Sequence, residues 1–414
     1  MSQQKTETGK KVFQKNQNIF FNATSLRTDL NKCLTFNVWD MKAKIFTLSL
    51  LLLALIQNAY SQFNSVDSSK SSGDSSKIIY DVSARLMYSV IMTGQGTSKQ
   101  FMYERPWAAQ VDLGVLKNTQ KTWNYCNCYT NNGVSVGYYN FDNSRLGSAF
   151  TTSFFAEPIV VLRKNFAFSI RGNAGFAYLT KIYDSITNPE NTFVSTRLSY
   201  YLAMGFNASY RLNKNFILSA SAQYNHISNA DRKDPNEGLN FSGVNIGVSY
   251  VPNAHYLERK TNEKFTEKNI GVIIHAIVGG REAYATSTWH DEKRFLGGAN
   301  VGLIKRVGRM NAFGVGGEFY YDGINNVLQQ RSGQTVQTML GGVSVQHYLF
   351  LGKLLFGQQF ARFVTPNTGY DEKFYQRYFL EYEVTKNWYA GVSLKSHGAH
   401  SDYLALSTGY FFKL

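Results

Sequence analysis

The sequence predicts an all-β fold, a transmembrane antiparallel up-and-down β-barrel architecture of about 16 strands arranged as two eight-stranded units. Long stretches of the chain alternate apolar and polar residues, and the polar positions include charged residues. The chain is also rich in aromatic residues and glycine and poor in proline. A soluble sandwich would bury its apolar face, whereas a membrane barrel turns that face toward lipid and keeps polar groups in the lumen. Together these features favour the membrane barrel.

The first predicted strand, residues 78–92, shows the alternation clearly. Its even positions are apolar from Ile78 to Met92, and its odd positions include Asp81 and Arg85. A helix does not give such a long alternation. The same pattern predicts further strands at 107–116, 132–141, 148–162, 166–178, 197–211, 216–228 and 241–251, and then at 269–280, 295–305, 312–321, 337–350, 353–364, 376–384, 388–397 and 402–413.

Two β units follow from this series. We assign the first to residues 78–252 and a charged linker to 253–268; residues 269–414 are a second barrel unit or the remaining strands of a larger barrel. A weak repeat, Lys214-Asn215-Phe216 against Lys386-Asn387-Trp388, and the linker favour tandem small barrels. One barrel of about 16 strands would instead have a wide lumen.

Loop lengths predict the orientation of the strands. The connections at 163–165 and 213–215 are tight, whereas those at 182–196 and 229–239 are long. Bacterial outer-membrane barrels have short periplasmic turns and longer external loops. The end of the strand at 216–228 is therefore expected near the outer leaflet.

The N-terminal residues predict export. Residues 41–61 read as a signal peptide, with a basic start at Met41, an apolar run and small residues before Gln62. We interpret residues 1–40 as a start-site artefact or a leader, and 62–77 as a Ser-rich linker. Export excludes nucleic acid as the partner of a chain with a formal charge of +15 and leaves a membrane surface or a phosphorylated glycolipid.

Two of the three cysteines, Cys126 and Cys128, lie in the mature region. Their Cys-x-Cys spacing is too tight for an easy disulfide within one extended strand. A metal site would need more ligands nearby, so we expect two small turn residues and no metal.

A candidate site lies around the loop between the strands at 216–228 and 241–251. His226 and Ser228 are two residues apart and share the apolar face of their strand, and Asn240 has the same parity on the next strand. Such a pair could simply bond lipid headgroups. It also supplies the nucleophile and base that ester hydrolysis requires.

The sequence around these residues resembles that of a known family. His226-Ile-Ser-Asn-Ala230 followed by Pro235-Asn-Glu-Gly238 resembles the lipid A 3-O-deacylase (PagL-like, acyloxyacyl hydrolase) family of outer-membrane barrels. The resemblance implies an outer-membrane esterase of a Gram-negative bacterium that hydrolyses an ester-linked acyl chain of lipid A (lipopolysaccharide) at a lipid-facing Ser-His site. It implies no cofactor, lipopolysaccharide and the outer membrane as partners, and no nucleic acid.

The resemblance also implies roles for the site residues. Ser228 would be the nucleophile, His226 the general base and Asn229 a side-chain oxyanion donor. The chain departs from the family where Asn240 replaces the usual Glu of the triad and Asp231 replaces a Gly whose amide serves the oxyanion. An Asn can still orient a His, and Glu237 is an alternative orienting acid.

Two other function classes remain open at this stage. A porin-like pore would need the wide lumen of a single large barrel, and a structural barrel would need no chemistry at residues 226–240. The second half has no His-x-Ser at its corresponding tip, where Gly398 and His400 align with His226 and Ser228. We therefore expect the second half to be non-catalytic. The sequence leaves the oligomeric state open.

Overall fold

The computed structural model describes residues 78–93, 97–230, 232–252, 257, 259–263, 265, 270–283, 288–333, 335–370, 372–397 and 400–414. The expected leader, signal peptide and Ser-rich linker lie outside the described residues. These three assignments therefore stay predictions.

The first half of the described chain forms one closed antiparallel barrel of eight strands. It closes because β1 pairs with β8, with Ala84 opposite Val248. The strands are β1 (Ile78–Met92), β2 (Trp107–Lys117), β3 (Tyr129–Asn140), β4 (Ser148–Leu162), β5 (Phe166–Leu179), β6 (Leu198–Arg211), β7 (Phe216–Ser228) and β8 (Leu239–Tyr250).

The second half forms a separate closed barrel, in which β9 pairs with β16. Its strands are β9 (Ile270–Ala283), β10 (Glu292–Val307), β11 (Asn311–Asp322), β12 (Met339–Leu351), β13 (Leu354–Phe363), β14 (Phe374–Thr385), β15 (Trp388–His397) and β16 (His400–Lys413). The prediction of two eight-stranded units is confirmed, and a single wide barrel is not formed.

The two faces of each strand have the predicted orientation. Apolar side chains on the outer face are exposed, and examples are Phe154 at 75%, Leu86 at 66% and Ile246 at 66%. Charged side chains on the inner face are buried, as Arg85 and Arg171 show. An outward apolar surface around a polar interior is the pattern of a barrel in lipid.

Side chains fill the lumen of the first barrel. Arg85 and Arg171 each form salt bridges with both Asp112 and Glu157, at 2.9 to 3.4 Å. These groups come from four different strands, so the network ties the wall together across the interior. An eight-stranded barrel has an interior just wide enough for such filling.

The second barrel has its own buried ion pairs. The Arg377 guanidinium donates to both carboxylate oxygens of Glu318, at 2.5 and 3.0 Å, and also to Tyr403. His275 contacts Glu381 at 3.1 Å. Because both lumens are packed with side chains, the described residues do not form the wide lumen that the pore alternative requires.

Asn residues shape two of the tight turns. The side chain of Asn213 accepts hydrogen bonds from the backbone N–H groups of Asn215 and Phe216, at 2.8 and 2.9 Å, so it closes the β6–β7 turn. Asn387 adopts a positive φ of 67° between β14 and β15. Asn tolerates this left-handed conformation better than most residues do.

One connection at the same end of the first barrel as the β6–β7 turn is longer than the loop rule predicts. Residues between β2 and β3 form helix α1 (Gln120–Cys126), which begins with a capping box between Thr119 and Thr122. The indole of Trp123 donates to Asn262 in the linker, and Arg309 of the second barrel donates to the carbonyl of Asn124. Helix α1 therefore joins the first barrel to the linker and to the second barrel.

The expectation that Cys126 and Cys128 are unbonded turn residues is wrong, because they form a disulfide. Cys126 ends α1, and Asn127 takes a left-handed conformation with a φ of 55°. The chain therefore turns back between the two cysteines and brings their Cα atoms to 5.0 Å. That separation lies within disulfide range, which an extended strand would not give.

Two further short elements lie in loops. A 3-10 helix (Thr97–Tyr103) follows β1, and helix α2 (Ile324–Ser332) follows β11. Phe101 of the 3-10 helix is buried against Phe193 of the β5–β6 loop, with ring centroids 5.5 Å apart. In the described part of the chain, no helix is long and apolar enough to cross a membrane.

Candidate active site

Strands β7 and β8 bring three of the expected residues together at the outer end of the first barrel. His226 lies directly opposite Asn240 in the β7–β8 register, and Ser228 lies two residues after His226. The outward parity is that of Tyr224 and Val244, which are exposed. The site therefore lies on the lipid-facing side of the wall, as the alternation predicts.

The three side chains form a continuous hydrogen-bonded chain. His226 Nδ1 is 2.6 Å from Asn240 Oδ1, and His226 Nε2 is 3.0 Å from Ser228 Oγ. Ser228 itself is nearly buried, with 7% of its surface exposed. These distances lie within the range that a nucleophile, a base and an orienting group require.

A tyrosine that sequence reasoning missed assigns the proton positions. The hydroxyl of Tyr224 donates to Asn240 Oδ1 at 2.6 Å, and Asn240 Nδ2 donates to the carbonyl of Gly238 at 3.4 Å. Asn240 therefore presents its oxygen, which can only accept, to the imidazole. His226 must carry its proton on Nδ1, and its Nε2 lone pair faces the hydroxyl of Ser228. The sequence did contain an indication of this role, because Tyr224 is two residues before His226 and therefore lies on the same face of the strand.

Gly238 packs against the imidazole. It has a positive φ of 74°, and a Cβ at this position would lie 2.8 Å from His226 Cε1. Its backbone N–H donates to the carbonyl of Phe193 at 3.0 Å. Because Phe193 is buried in the barrel mouth, the loop is fixed to the core. The positive φ and the close contact with His226 explain why the Pro-Asn-x-Gly motif has Gly at position 238.

The two asparagines of the motif hold the same loop. Asn236 Oδ1 accepts from the backbone N–H of Asn229 at 3.0 Å. The Asn229 side-chain amide is buried and donates to Ser195 Oγ at 3.1 Å and to the Lys233 carbonyl at 2.6 Å. Both of its N–H groups are thus used, one of them by a residue of the β5–β6 loop. Its expected role as oxyanion donor stays a prediction that requires one of these bonds to be exchanged.

Another donor lies closer to the serine. The backbone N–H of Ala230 is 3.4 Å from Ser228 Oγ, and Ala230 has a positive φ of 54°. Asp231, the other expected oxyanion position, lies outside the described residues. Glu237 has an exposed side chain. Since both ring nitrogens of His226 already have partners, Glu237 would have to displace one of them to orient the base, and this alternative role stays a prediction.

The corresponding tip of the second barrel is built differently. His397 ends β15 and lies on the inner face, where its Nδ1 contacts Asp402 at 2.8 Å. Lys395, two residues earlier, is fully buried and also pairs with Asp402. The described part of this tip presents no Ser beside a His on the lipid-facing side. The side chain of His400 lies outside the described set.

Comparison with known proteins assigns the family. A sequence model described as lipid A 3-O-deacylase (PagL) matches residues 100–249, and one described as the acyloxyacyl hydrolase C-terminal domain matches residues 270–414. The chain belongs to the PagL family. The two matches together span well over half of the sequence, and each of them covers one of the two barrels. This PagL-family chain is thus an ester hydrolase of the lipid A deacylase class, located in the outer membrane.

Solved structures and curated proteins were also compared with this PagL-family chain. The crystal structure of the outer-membrane enzyme PagL is 15% identical, with 40% of this chain and 97% of that chain covered and a TM-score of 0.29. Neisserial surface protein A is 11% identical, with 42% and 96% covered and a TM-score of 0.28. The β domain of the Bordetella autotransporter BrkA is 9% identical, with 82% and 100% covered and a TM-score of 0.23. No curated protein matches the sequence.

Proposed function

We propose that this chain removes an ester-linked acyl chain from lipid A, with Ser228 as nucleophile, His226 as general base and Asn240 as the group that orients the base. The observation that carries the proposal is the unbroken chain from Asn240 through His226 to Ser228. The direction of its hydrogen bonds suits catalysis, because Nδ1–H of His226 donates to Asn240 and Nε2 is left to accept the serine proton. Family membership supplies the substrate class.

The reaction takes place in two steps. Ser228 Oγ attacks the ester carbonyl while its proton passes to His226 Nε2, which gives a tetrahedral intermediate. His226 then donates that proton to the sugar oxygen, so the C–O bond breaks and an acyl-serine remains. A water molecule, activated by the same imidazole, attacks the acyl-serine, and the fatty acid leaves as Ser228 regains its proton.

The neutral amide of Asn240, in place of a carboxylate, should lower the rate of hydrolysis. The imidazolium formed during attack is stabilised by a full negative charge in the usual triad, whereas Asn240 offers only a dipole. We therefore expect a slower enzyme than a family member with Glu at this position.

The developing oxyanion needs hydrogen-bond donors close to Ser228. We assign the first of these to the backbone N–H of Ala230, which already faces Ser228 Oγ. The side chain of Asn229 would join it after releasing Ser195 or the Lys233 carbonyl. Asp231 could contribute only through its backbone N–H, because a carboxylate would repel the oxyanion.

The lipid-facing position of the site suits the substrate. The acyl chains of lipid A lie in the outer leaflet, beside the outward face of β7 and β8. Their ester groups lie at the level of the sugar headgroup, near the strand ends that carry the site. The substrate therefore reaches Ser228 by moving within the membrane.

Mass spectrometry of lipid A from cells tests this proposal. Cells that express the parent chain should contain lipid A lighter by one fatty acid, whereas cells that express Ser228→Ala should contain the unmodified species. Equal amounts of folded barrel in the two membranes serve as the control. Identical lipid A in the two cultures, with folded parent protein present, would contradict the proposal.

A further inference from the structure

A cleft of about 790 Å³ lies between the outer ends of the two barrels. The loop after Ser228 forms one wall through Ala230, Arg232 and Lys233. Parts of β9, β10 and β16 form the other wall, with Arg281, Lys293 and Asp402 among them. The volume is in the range of small-molecule sites. This cleft gives the second barrel a position next to the candidate active site.

The cleft is continuous with the nucleophile. Ala230 lines the cleft, and its backbone N–H is 3.4 Å from Ser228 Oγ. In a 3-O-acyl ester of lipid A, the bond that the family description names, the ester oxygen belongs to the sugar itself. When the ester carbonyl is at Ser228, the sugar ring and its phosphates must therefore lie directly beside this loop, on the water side of the acyl chains.

The charges on the cleft walls fit a phosphorylated sugar better than a plain anion. Basic and acidic side chains are equal in number, namely Arg232, Lys233, Arg281 and Lys293 against Asp234, Glu282, Asp291 and Asp402. Guanidinium and ammonium groups bind phosphate, and carboxylates accept hydrogen bonds from sugar hydroxyls. A polyanion such as nucleic acid would be repelled by half of these groups.

The two walls differ in how far their cations are already engaged. Arg281 is paired with Asp322 at 2.6 Å, and Lys293 lies 3.6 Å from Glu282 with 79% of its side chain exposed. Arg232 is exposed on the wall next to Ser228. Arg232 and Lys293 are therefore accessible cations on opposite walls, where they can contact a phosphate from both sides.

Buried polar groups below the cleft supply a second observation. His397 bonds Asp402, a residue of the wall, through Nδ1, and its Nε2 has no hydrogen-bond partner among the described residues. The His397 side chain is only 10% exposed. The hydroxyl of Tyr370, whose ring stacks on His397 at 4.4 Å, likewise has no partner in the described set. Such groups are costly to bury unless a ligand or water satisfies them.

We propose that this cleft binds the phosphorylated sugar headgroup of lipid A, and that the second barrel acts as the headgroup-binding wall of the enzyme. The inference rests on the proposed function for its substrate class. Arg232 and Lys293 contact phosphate, while Asp402 and the groups below it contact sugar hydroxyls. The second barrel thereby fixes the ester over Ser228 without taking part in the chemistry.

Binding to an inactive full chain tests the inference separately from catalysis. The Ser228→Ala protein is titrated in detergent with mixed micelles that contain phosphorylated lipid A or the same lipid A after phosphatase treatment, and calorimetry gives the dissociation constant. Arg232→Ala and Lys293→Ala are added together to this background. Lys386→Ala, an exposed lysine in a turn at the opposite end of the second barrel, is the matched control.

We expect the paired substitution to weaken binding of phosphorylated lipid A by about tenfold or more, because charge-assisted bonds to phosphate are lost. Binding of the dephosphorylated lipid should change by less than twofold, and Lys386→Ala should change neither. Equal affinity of the paired variant and its background for phosphorylated lipid A would overturn the inference, as would an equal loss for both lipids. Because no turnover is needed, this result stands even if Ser228→Ala proves to hydrolyse lipid A.

Discussion

The two barrels each carry a histidine at the outer end of their seventh strand, and the two histidines face opposite ways. His226 in β7 lies on the lipid-facing side with Ser228 as its neighbour. His397 in β15 lies inside its barrel, between Asp402 and the ring of Tyr370. When the halves are aligned at Asn215 and Asn387, His397 falls one position before the counterpart of His226.

That one-residue difference decides where the chemistry can act. Successive side chains of a strand point to opposite faces, so a shift of one moves a side chain from lipid to lumen. A base on the lipid-facing side can reach an ester in the membrane, whereas a base in the lumen cannot. The comparison matches the proposed division between a catalytic first barrel and a headgroup-binding second barrel, and the substitutions below can break or sharpen it.

The largest of the single-residue effects is expected for the outward histidine. His226→Ala should lower fatty acid release from lipid A by at least about 1,000-fold, because the serine proton has no acceptor. The barrel should stay folded, since the ring contributes little to the core. His347→Ala, which removes an outward-facing histidine of the second barrel that bonds Asn311 and Gln358, should leave the rate within twofold. A comparable loss in both variants would break the comparison.

The next largest effect tests the packing of the base. Gly238→Ala should lower the rate by roughly 100-fold, because the new Cβ displaces the imidazole by a fraction of an ångström or more. Gly333→Ala is the matched control: Gly333 also has a positive φ, of 70°, but a Cβ there meets nothing within 4 Å. Equal activities of the two variants would contradict the role given to the contact between position 238 and His226.

Asn240 should have a smaller effect than the base that it orients. Asn240→Ala leaves nucleophile and base in place and should cost about tenfold. Asn240→Glu restores the family carboxylate and should raise the rate above that of the parent, provided that Tyr224 accommodates the longer side chain. Glu237→Gln should leave the rate within twofold. A large loss in Glu237→Gln with none in Asn240→Ala would move the orienting role to the loop.

The smallest effect is expected for the tyrosine that fixes the amide of Asn240. Tyr224→Phe removes one neutral hydrogen bond and should lower the rate by roughly fivefold. Tyr88→Phe, on another exposed outward tyrosine of the same barrel, should be silent. In the Asn240→Ala background, Tyr224→Phe should have a much smaller effect on the hydrolysis rate than it has in the parent. An equally large effect of Tyr224→Phe in the Asn240→Ala background would mean that Tyr224 acts through another residue.

The wall of each barrel could be predicted from the sequence because its pattern is local. The strand at 216–228 was predicted with its observed bounds, and the shared parity of His226, Ser228 and Asn240 follows from period two alone. The sequence also placed Asn240 on the strand adjacent to His226, and the observed register puts the two residues directly opposite each other. Family membership, predicted from the letters around the same loop, is confirmed.

Features that depend on distant contacts could not be predicted. The contacts of Asn229 are one example, because its side-chain amide donates to Ser195, which is 34 residues away in sequence. The disulfide at Cys126 was missed because α1 reverses the chain there, and α1 itself is held by Asn262 and Arg309. The cleft between the barrels depends on how the two mouths meet, which periodicity does not encode.

The most direct test of the account is the rate at which purified chain in detergent releases fatty acid from lipid A when Ser228 is changed. Ser228→Ala should lose at least about 1,000-fold, and Ser228→Ala with His226→Ala should lose no more than that, because both changes disable one attack. Ser396→Ala, at the tip of the second barrel, should keep the parent rate. Release by folded Ser228→Ala at the parent rate would contradict the account.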